Sequence, residues 1–112
     1  MHTVDALESL EKGEFSPPKS TEQRDYAGLQ TMVSETLEEL NQVSADSVNA
    51  KQGKTVIFKF GGREIPFTAE NFILSFSLPN LNFHTTTAYD ILRAQGVPLG
   101  KADFLGKMRI GV

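Results

Sequence analysis

Hydrophobic positions along the chain change period twice, from helical to strand-like and back, and the changes bound the elements. Over residues 3–11, TVDALESLE, the residues Val4, Leu7 and Leu10 recur at helical steps. That gives a short amphipathic helix, too brief to be stable alone. Gly13 is placed to cap it, and Phe15-Ser16-Pro17-Pro18 forces an extended connection. A cleaner stripe follows in Tyr26, Leu29, Val33, Leu37, Leu40 and Val43. It predicts a helix over 21–43, opened by Ser20 or Thr21 with Glu22 and Gln23 just inside. Glu22, Arg24, Glu35, Glu38 and Glu39 lie off the stripe and read as a solvated face. After Ser44-Ala45-Asp46 the pattern becomes that of strands. KTVIFKF over 54–60 is β-branched and aromatic, REIPF over 63–67 follows, and Gly61-Gly62 between them can take positive φ at both positions. These residues predict a β-hairpin over 54–67, with Pro66 confining its strand to an edge or its end.

The longest apolar segment, TAENFILSFSLPNLNFHTTTAYDILRAQG over 68–96, predicts a helix over 69–95. Phe72, Phe76 and Phe83, and the row Ile73, Asn80, His84, Thr87 and Ile91, recur at three- and four-residue steps. Thr68 serves as N-cap, Gly96 as the residue past the C-terminus, and Pro98 prevents continuation. Apolar residues lie on most sides, as in a helix that runs through an interior. Pro79 removes the hydrogen bond to the Ser75 carbonyl and is expected to kink the helix. Thr85, Thr86 and Thr87 are poor helix formers whose hydroxyls can bond back to carbonyls one turn earlier. Residues 97–112 read as a docked turn and tail, anchored by Phe104 and Leu105.

Composition narrows the function classes. The 112 residues suffice for one domain, not two. Net charge is −3, with 14 acidic residues against 11 basic ones and no Lys/Arg run, which argues against nucleic acid. The absence of cysteine excludes disulfides, a thiolate nucleophile and a thiolate zinc site. No apolar run reaches the ~20 residues of a membrane span, and the first residues lack the pattern of a secretory signal. A cytoplasmic protein is the expectation.

Candidate chemistry centres on the long helix. The freed Ser75 carbonyl, with Asn80, His84 and Thr87 on adjacent turns and Tyr89 nearby, could line a small polar pocket between helices. The blander reading makes His84 a buried imidazole bonded to a carbonyl or hydroxyl, and makes Pro79 and the Thr run features of packing. No glycine-flanked serine resembles a nucleophile elbow. Gly61-Gly62 is a hairpin turn rather than a phosphate loop, because no Lys-Ser/Thr pair and helix follow it.

An ordered run of rarer identities adds a resemblance. Leu78-Pro79-Asn80, then Phe83-His84-x-x-Thr87-Ala88-Tyr89-Asp90-Ile91-Leu92-Arg93, then Gly96-Val97-Pro98-Leu99-Gly100-Lys101-x-Asp103-Phe104-Leu105-Gly106 resembles a DinB-like family of domains of unknown function, family nineteen-ninety-three. Gly61-Gly62-Arg63-Glu64, Phe67-Thr68 and Pro17-Pro18 are similar to that family as well, so the resemblance extends to about Gly106. It implies a mainly α fold, a four-helix bundle with a β-hairpin inserted between helices three and four. Residues 3–11 would then be the end of helix two, 21–43 helix three and 69–95 helix four. Helix one and most of helix two would have no counterpart, and two long helices cannot enclose a bundle core. A homodimer, or another helical partner, is expected to cover the open face.

Many DinB-like proteins bind a divalent metal through three histidines, two of them four residues apart on helix four. The matching pair here is Asn80 and His84, and Asn is a poor ligand for zinc or nickel. The resemblance thus points to a non-catalytic binding or interaction protein with a degenerate metal site and no cofactor. The alternative is a DinB-like metal- or thiol-cofactor-dependent transferase or isomerase using a pocket around His84.

Overall fold

The computed structural model describes residues 2–18 and 22–111. The fold is mainly helical with a small sheet, and the chain divides into two compact units, Met1–Leu78 and Pro79–Val112. Helix α1 covers His2–Lys12, longer at both ends than the amphipathic stretch predicts. It ends at Gly13, whose N–H donates to the Ser9 carbonyl at 2.9 Å with φ at +73°, a conformation glycine adopts without the Cβ penalty. The Gly13 carbonyl then accepts from the Ile57 N–H at 2.9 Å, so helix end and sheet start share one residue.

That bond places a strand the hydrophobic pattern did not reveal. Glu14–Phe15, β1, pairs in parallel with Thr55–Phe60, β2, and β2 pairs antiparallel with Arg63–Thr68, β3. Instead of a two-stranded hairpin, the result is a three-stranded sheet in the order β1-β2-β3. Two residues are too short to register as a period, and only the pairing with β2 makes them a strand. The hairpin itself forms as expected, with Gly61 at φ +57° and Gly62 at +75°. Pro66 sits opposite Ile57. Because the Ile57 N–H faces β1, this is a pair without hydrogen bonds across β2 and β3. The N–H that proline lacks would have pointed out of the free edge. Pro66 therefore costs the ladder nothing and blunts that edge.

Pairing fixes the faces of the sheet. Phe15, Val56, Phe58 and Phe67 lie on one side, where α1 and the start of the long helix cover them. Ala6, Leu10, Val56, Ala69 and Phe72 are buried, and Phe72 is fully so. Five phenylalanines pack around that point. Phe76 meets Phe58 at 4.7 Å and Phe15 at 5.0 Å between ring centroids, while Phe72 meets Phe15 at 5.6 Å and Phe67 at 6.3 Å.

Helix α2 is shorter than predicted. It covers Tyr26–Asn41, not 21–43, because the cap is Asp25, whose carboxylate accepts from the Gly28 N–H at 2.8 Å. The predicted caps Ser20 and Thr21 lie outside the described residues. A short helix α3, Ala45–Asn49, follows with Ser44 as cap, where the sequence suggested only a change of pattern. No helix is long and apolar enough to cross a membrane among the described residues.

The long helix begins where predicted. Thr68 Oγ1 accepts from the Asn71 N–H at 3.2 Å, and α4 covers Ala69–Phe72. Ile73–Ser77 then form a π turn, and α5 runs over Leu78–Ala94. The second unit holds α5 from Pro79 onward. Gly96, at φ +88°, ends that helix with two reverse bonds, its own N–H to the Arg93 carbonyl at 3.0 Å and Val97 N–H to the Leu92 carbonyl at 3.1 Å. Helix α6, Lys101–Leu105, follows where a turn was predicted, its start held by Asp103 Oδ2 accepting from the Gly100 N–H at 2.8 Å. The expected interior helix is buried only at its beginning, at Ala69 and Phe72. None of Leu78–Ala94 is buried.

Phe72→Ala is expected to destabilise the protein by about 3–5 kcal/mol, whereas Phe60→Ala, 65% exposed at the end of β2, should cost far less. Gly61→Ala adds a Cβ that meets no atom within 4 Å, so its cost should be the backbone strain alone, about 1–2 kcal/mol. Urea unfolding of the three variants checks this ordering.

Candidate functional site

The π turn is the local departure from which the candidate residues on the long helix follow. In an α-helix the Leu78 N–H would serve the Leu74 carbonyl. Here it reaches back one residue farther, to Ile73. Pro79 has no N–H to give Ser75. Two consecutive carbonyls, Leu74 and Ser75, thus miss their α-helical partners, where the sequence implied one. The wide turn is how the helix absorbs the proline while continuing on both sides. Ser75 is exposed and belongs to the first unit.

Asn80, His84, Thr87 and Tyr89 belong to the second unit. Helical spacing sets Asn80, His84 and Thr87 on one side of α5. Asn80 is half-buried, and His84 and Thr87 are exposed. The His84 imidazole stands edge-on to the Phe83 ring at 5.4 Å. Thr87 Oγ1 donates to the Phe83 carbonyl at 2.7 Å, and Thr85 Oγ1 to the Leu81 carbonyl at 2.8 Å. These are the back-bonds expected of threonines inside a helix, and they leave the Thr87 hydroxyl as an acceptor for any other group. Tyr89 faces the other side of α5. Its ring meets Phe104 of α6 edge-on at 5.5 Å, and the Arg93 guanidinium lies over it at 5.7 Å. Tyr89 is thereby part of the anchor that holds α6, in a contact worth roughly 0.5–1 kcal/mol for the exposed cation alone.

Chemically, the Asn80–His84–Thr87 row offers one imidazole, one amide and one hydroxyl acceptor. Among the described residues, no group of three or more His, Cys, Asp or Glu is gathered to hold a metal ion. The row can hydrogen-bond a polar group laid along the helix, and it lacks the paired imidazoles a zinc or nickel centre prefers.

A second feature escaped the sequence reading. Beside α1 and β1 lies an open cleft of about 320 Å³, walled by Phe15 and lined by Asp5, Glu8, Ser9 and Glu14. None of the five candidate residues lines it. Two of its carboxylates are paired: Glu8 with Lys12 at 2.9 Å, and Glu14 with Lys59 of β2 at 2.7 Å. Ser9 is buried, and its hydroxyl donates to the Asp5 carbonyl at 2.6 Å. The hydrogen bond and charge of Lys59 hold the Glu14 carboxyl below its ordinary value, and Glu14 in turn raises Lys59. The only signal in the sequence was Phe15 before two prolines, which says that the segment is extended but not what it pairs with.

These features sit in a known frame. The family model described as Domain of unknown function (DUF1993) matches residues 1–105. The chain belongs to this family. Among solved structures, the DUF1993 chain is similar to a DinB family member protein from Shewanella denitrificans, determined by crystallography. The two share 31% identity and superpose with a TM-score of 0.67, over 99% of this chain and 60% of that one. The DUF1993 chain thus spans 60% of the length of that relative. No curated protein matches it. The DinB-like resemblance carried by Leu78-Pro79-Asn80 and the residues after it is confirmed. The family's description assigns no chemistry to the row on α5.

A depressed carboxyl stabilises the fold above its ordinary pKa and loses that contribution as pH falls through the folded value. The stability difference between the wild type and Glu14→Gln should therefore be steady near neutral pH, favour the wild type, and shrink below about pH 4.5, the ordinary value for Glu. Denaturant midpoints measured across that range check it.

Proposed function

We propose that this DinB-like protein works by binding rather than by catalysis, in the cytoplasm, and that association covers its helices. In this reading α1 is the end of the family's helix two, α2 is helix three, and Ala69–Ala94 is helix four with the hairpin before it. A second copy supplies the layer that would close the bundle. The observation that carries the reading is α2. It has the composition of a bundle helix, yet none of its residues is buried, and Tyr26, Leu29, Val33 and Leu37 are all exposed. Exposed contiguous apolar surface on a small protein marks an interaction site more often than a solvated one. The metal site is degenerate in this reading, because Asn80 occupies one of the two matching positions on the long helix.

Sedimentation velocity over the micromolar range should show a dimer that dissociates on dilution. A folded monomer throughout that range would overturn the association. Metal analysis of the purified protein tests the other half. Stoichiometric zinc or nickel that is lost in His84→Ala would overturn the non-catalytic reading in favour of a metal-dependent transferase or isomerase.

A further inference from the structure

Apolar side chains are open at several places among the described residues, and these differ in kind. Phe60 and Ile65 at the hairpin tip are 65% and 44% exposed but amount to two side chains. Phe83, Ile91 and Leu92 on α5 are exposed, but at about 100° per residue Phe83 and Leu92 fall on opposite sides of the helix, so they make no face. On α2, Tyr26, Leu29, Val33 and Leu37 are 76%, 45%, 54% and 56% exposed. At about 100° per residue they fall within roughly 80° of one another, a single row along a helix about 24 Å long. Leu40, in line with the same row near the end of the helix, is half-buried, as are Met32 and Thr36 on the adjoining side. The covered and open rows together make the wide apolar stripe of a bundle helix, of which one half is left uncovered.

We infer that the α2 row is the seam of the dimer, packed against the α2 row of a second copy about a two-fold axis; this rests on the association proposed above. A two-fold interface sets a surface against itself, so it must be self-complementary. The α2 row meets that condition. On the open side its neighbours are Gln30, Ser34 and Asn41, uncharged groups that each carry both a donor and an acceptor and can pair with their own kind. The carboxylates of the helix, Glu35, Glu38 and Glu39, project from the opposite side, and the helix carries no Lys or Arg. Self-pairing therefore brings no like charges together, and a charged partner would find nothing on the seam to recognise. Val33 lies at the midpoint of Tyr26–Asn41, so its copy comes close whether the two helices run parallel or antiparallel.

The chain contains no cysteine, which allows a site-specific test. Val33→Cys and Gln30→Cys lie on the seam, and Glu38→Cys lies on the opposite side. With a short bis-maleimide, Val33→Cys and Gln30→Cys should be captured as covalent dimers at micromolar concentration, and Glu38→Cys should stay monomeric under denaturing electrophoresis. Val33→Glu should weaken the dimer at least tenfold by sedimentation while retaining helical circular dichroism. A dimer that cross-links no better through Val33→Cys and Gln30→Cys than through Glu38→Cys would overturn the α2 seam and leave the association standing. A wild-type monomer would overturn both. The Gln30→Cys arm exchanges an exposed polar side chain, so it keeps the test valid even if changes at Val33 disturb the fold.

Discussion

The fully buried ring of Phe72 is the point on which the first unit depends. It is the first large apolar side chain of the long helix, and it reaches the sheet through Phe15 and Phe67, which belong to different strands. Phe76 and Phe58 close the cluster. Aromatic rings bury much area for two rotatable bonds, which suits a unit too small for a large aliphatic core. Residues far apart in the chain are thereby held together by one cluster. Its reach also explains why two residues, Glu14 and Phe15, are worth ordering as a strand. Phe15 completes the cluster from one side of β2, while Glu14 is tied to Lys59 on the other.

Pro79 imposes the second constraint. A proline inside a helix must remove a hydrogen bond and make room for its ring. The chain meets both demands by widening the preceding turn, with Leu78 bonding to Ile73. The division between the two units falls at the same place, between Leu78 and Pro79. Upstream of it the helix buries Ala69 and Phe72 and packs Phe76 into the phenylalanine cluster. Downstream it carries Asn80, His84 and Thr87 on one side and the Tyr89 anchor for α6 on the other. The proline thus sits between the part of the helix that stabilises the fold and the part that presents polar groups.

The apolar row on α2 gives the protein its proposed role. A stripe that is half covered and half open, with its carboxylates turned away, is neither a solvated surface helix nor a core helix. Binding would explain the pattern by giving the open half the environment its composition demands, and the uncharged margin would suit a like partner better than a charged one. The amide and imidazole on α5 offer less. Along one side of the helix stand one amide, one imidazole and one hydroxyl acceptor, with no second imidazole four residues away.

Much of this was legible in the residues themselves, because local chemistry dictated it. Thr68 as cap, Gly96 as terminator, the Gly61-Gly62 turn and the back-bonding threonines depend on neighbours within four residues, and each stands as the pattern predicts. The family resemblance was legible for the same reason, since it rests on an ordered run of identities. What depended on distant partners was not. Strand β1 exists only because β2, far along the chain, pairs with it. Two local choices escaped as well, because several polar residues before Tyr26 can cap a helix and Asp25 is the one that caps α2, and because the turn widens ahead of Pro79 rather than simply losing one bond. Burial was the least legible property. An apolar period says that a face seeks cover, but the long helix finds it only at Ala69 and Phe72, because cover is supplied by whatever the tertiary fold places alongside.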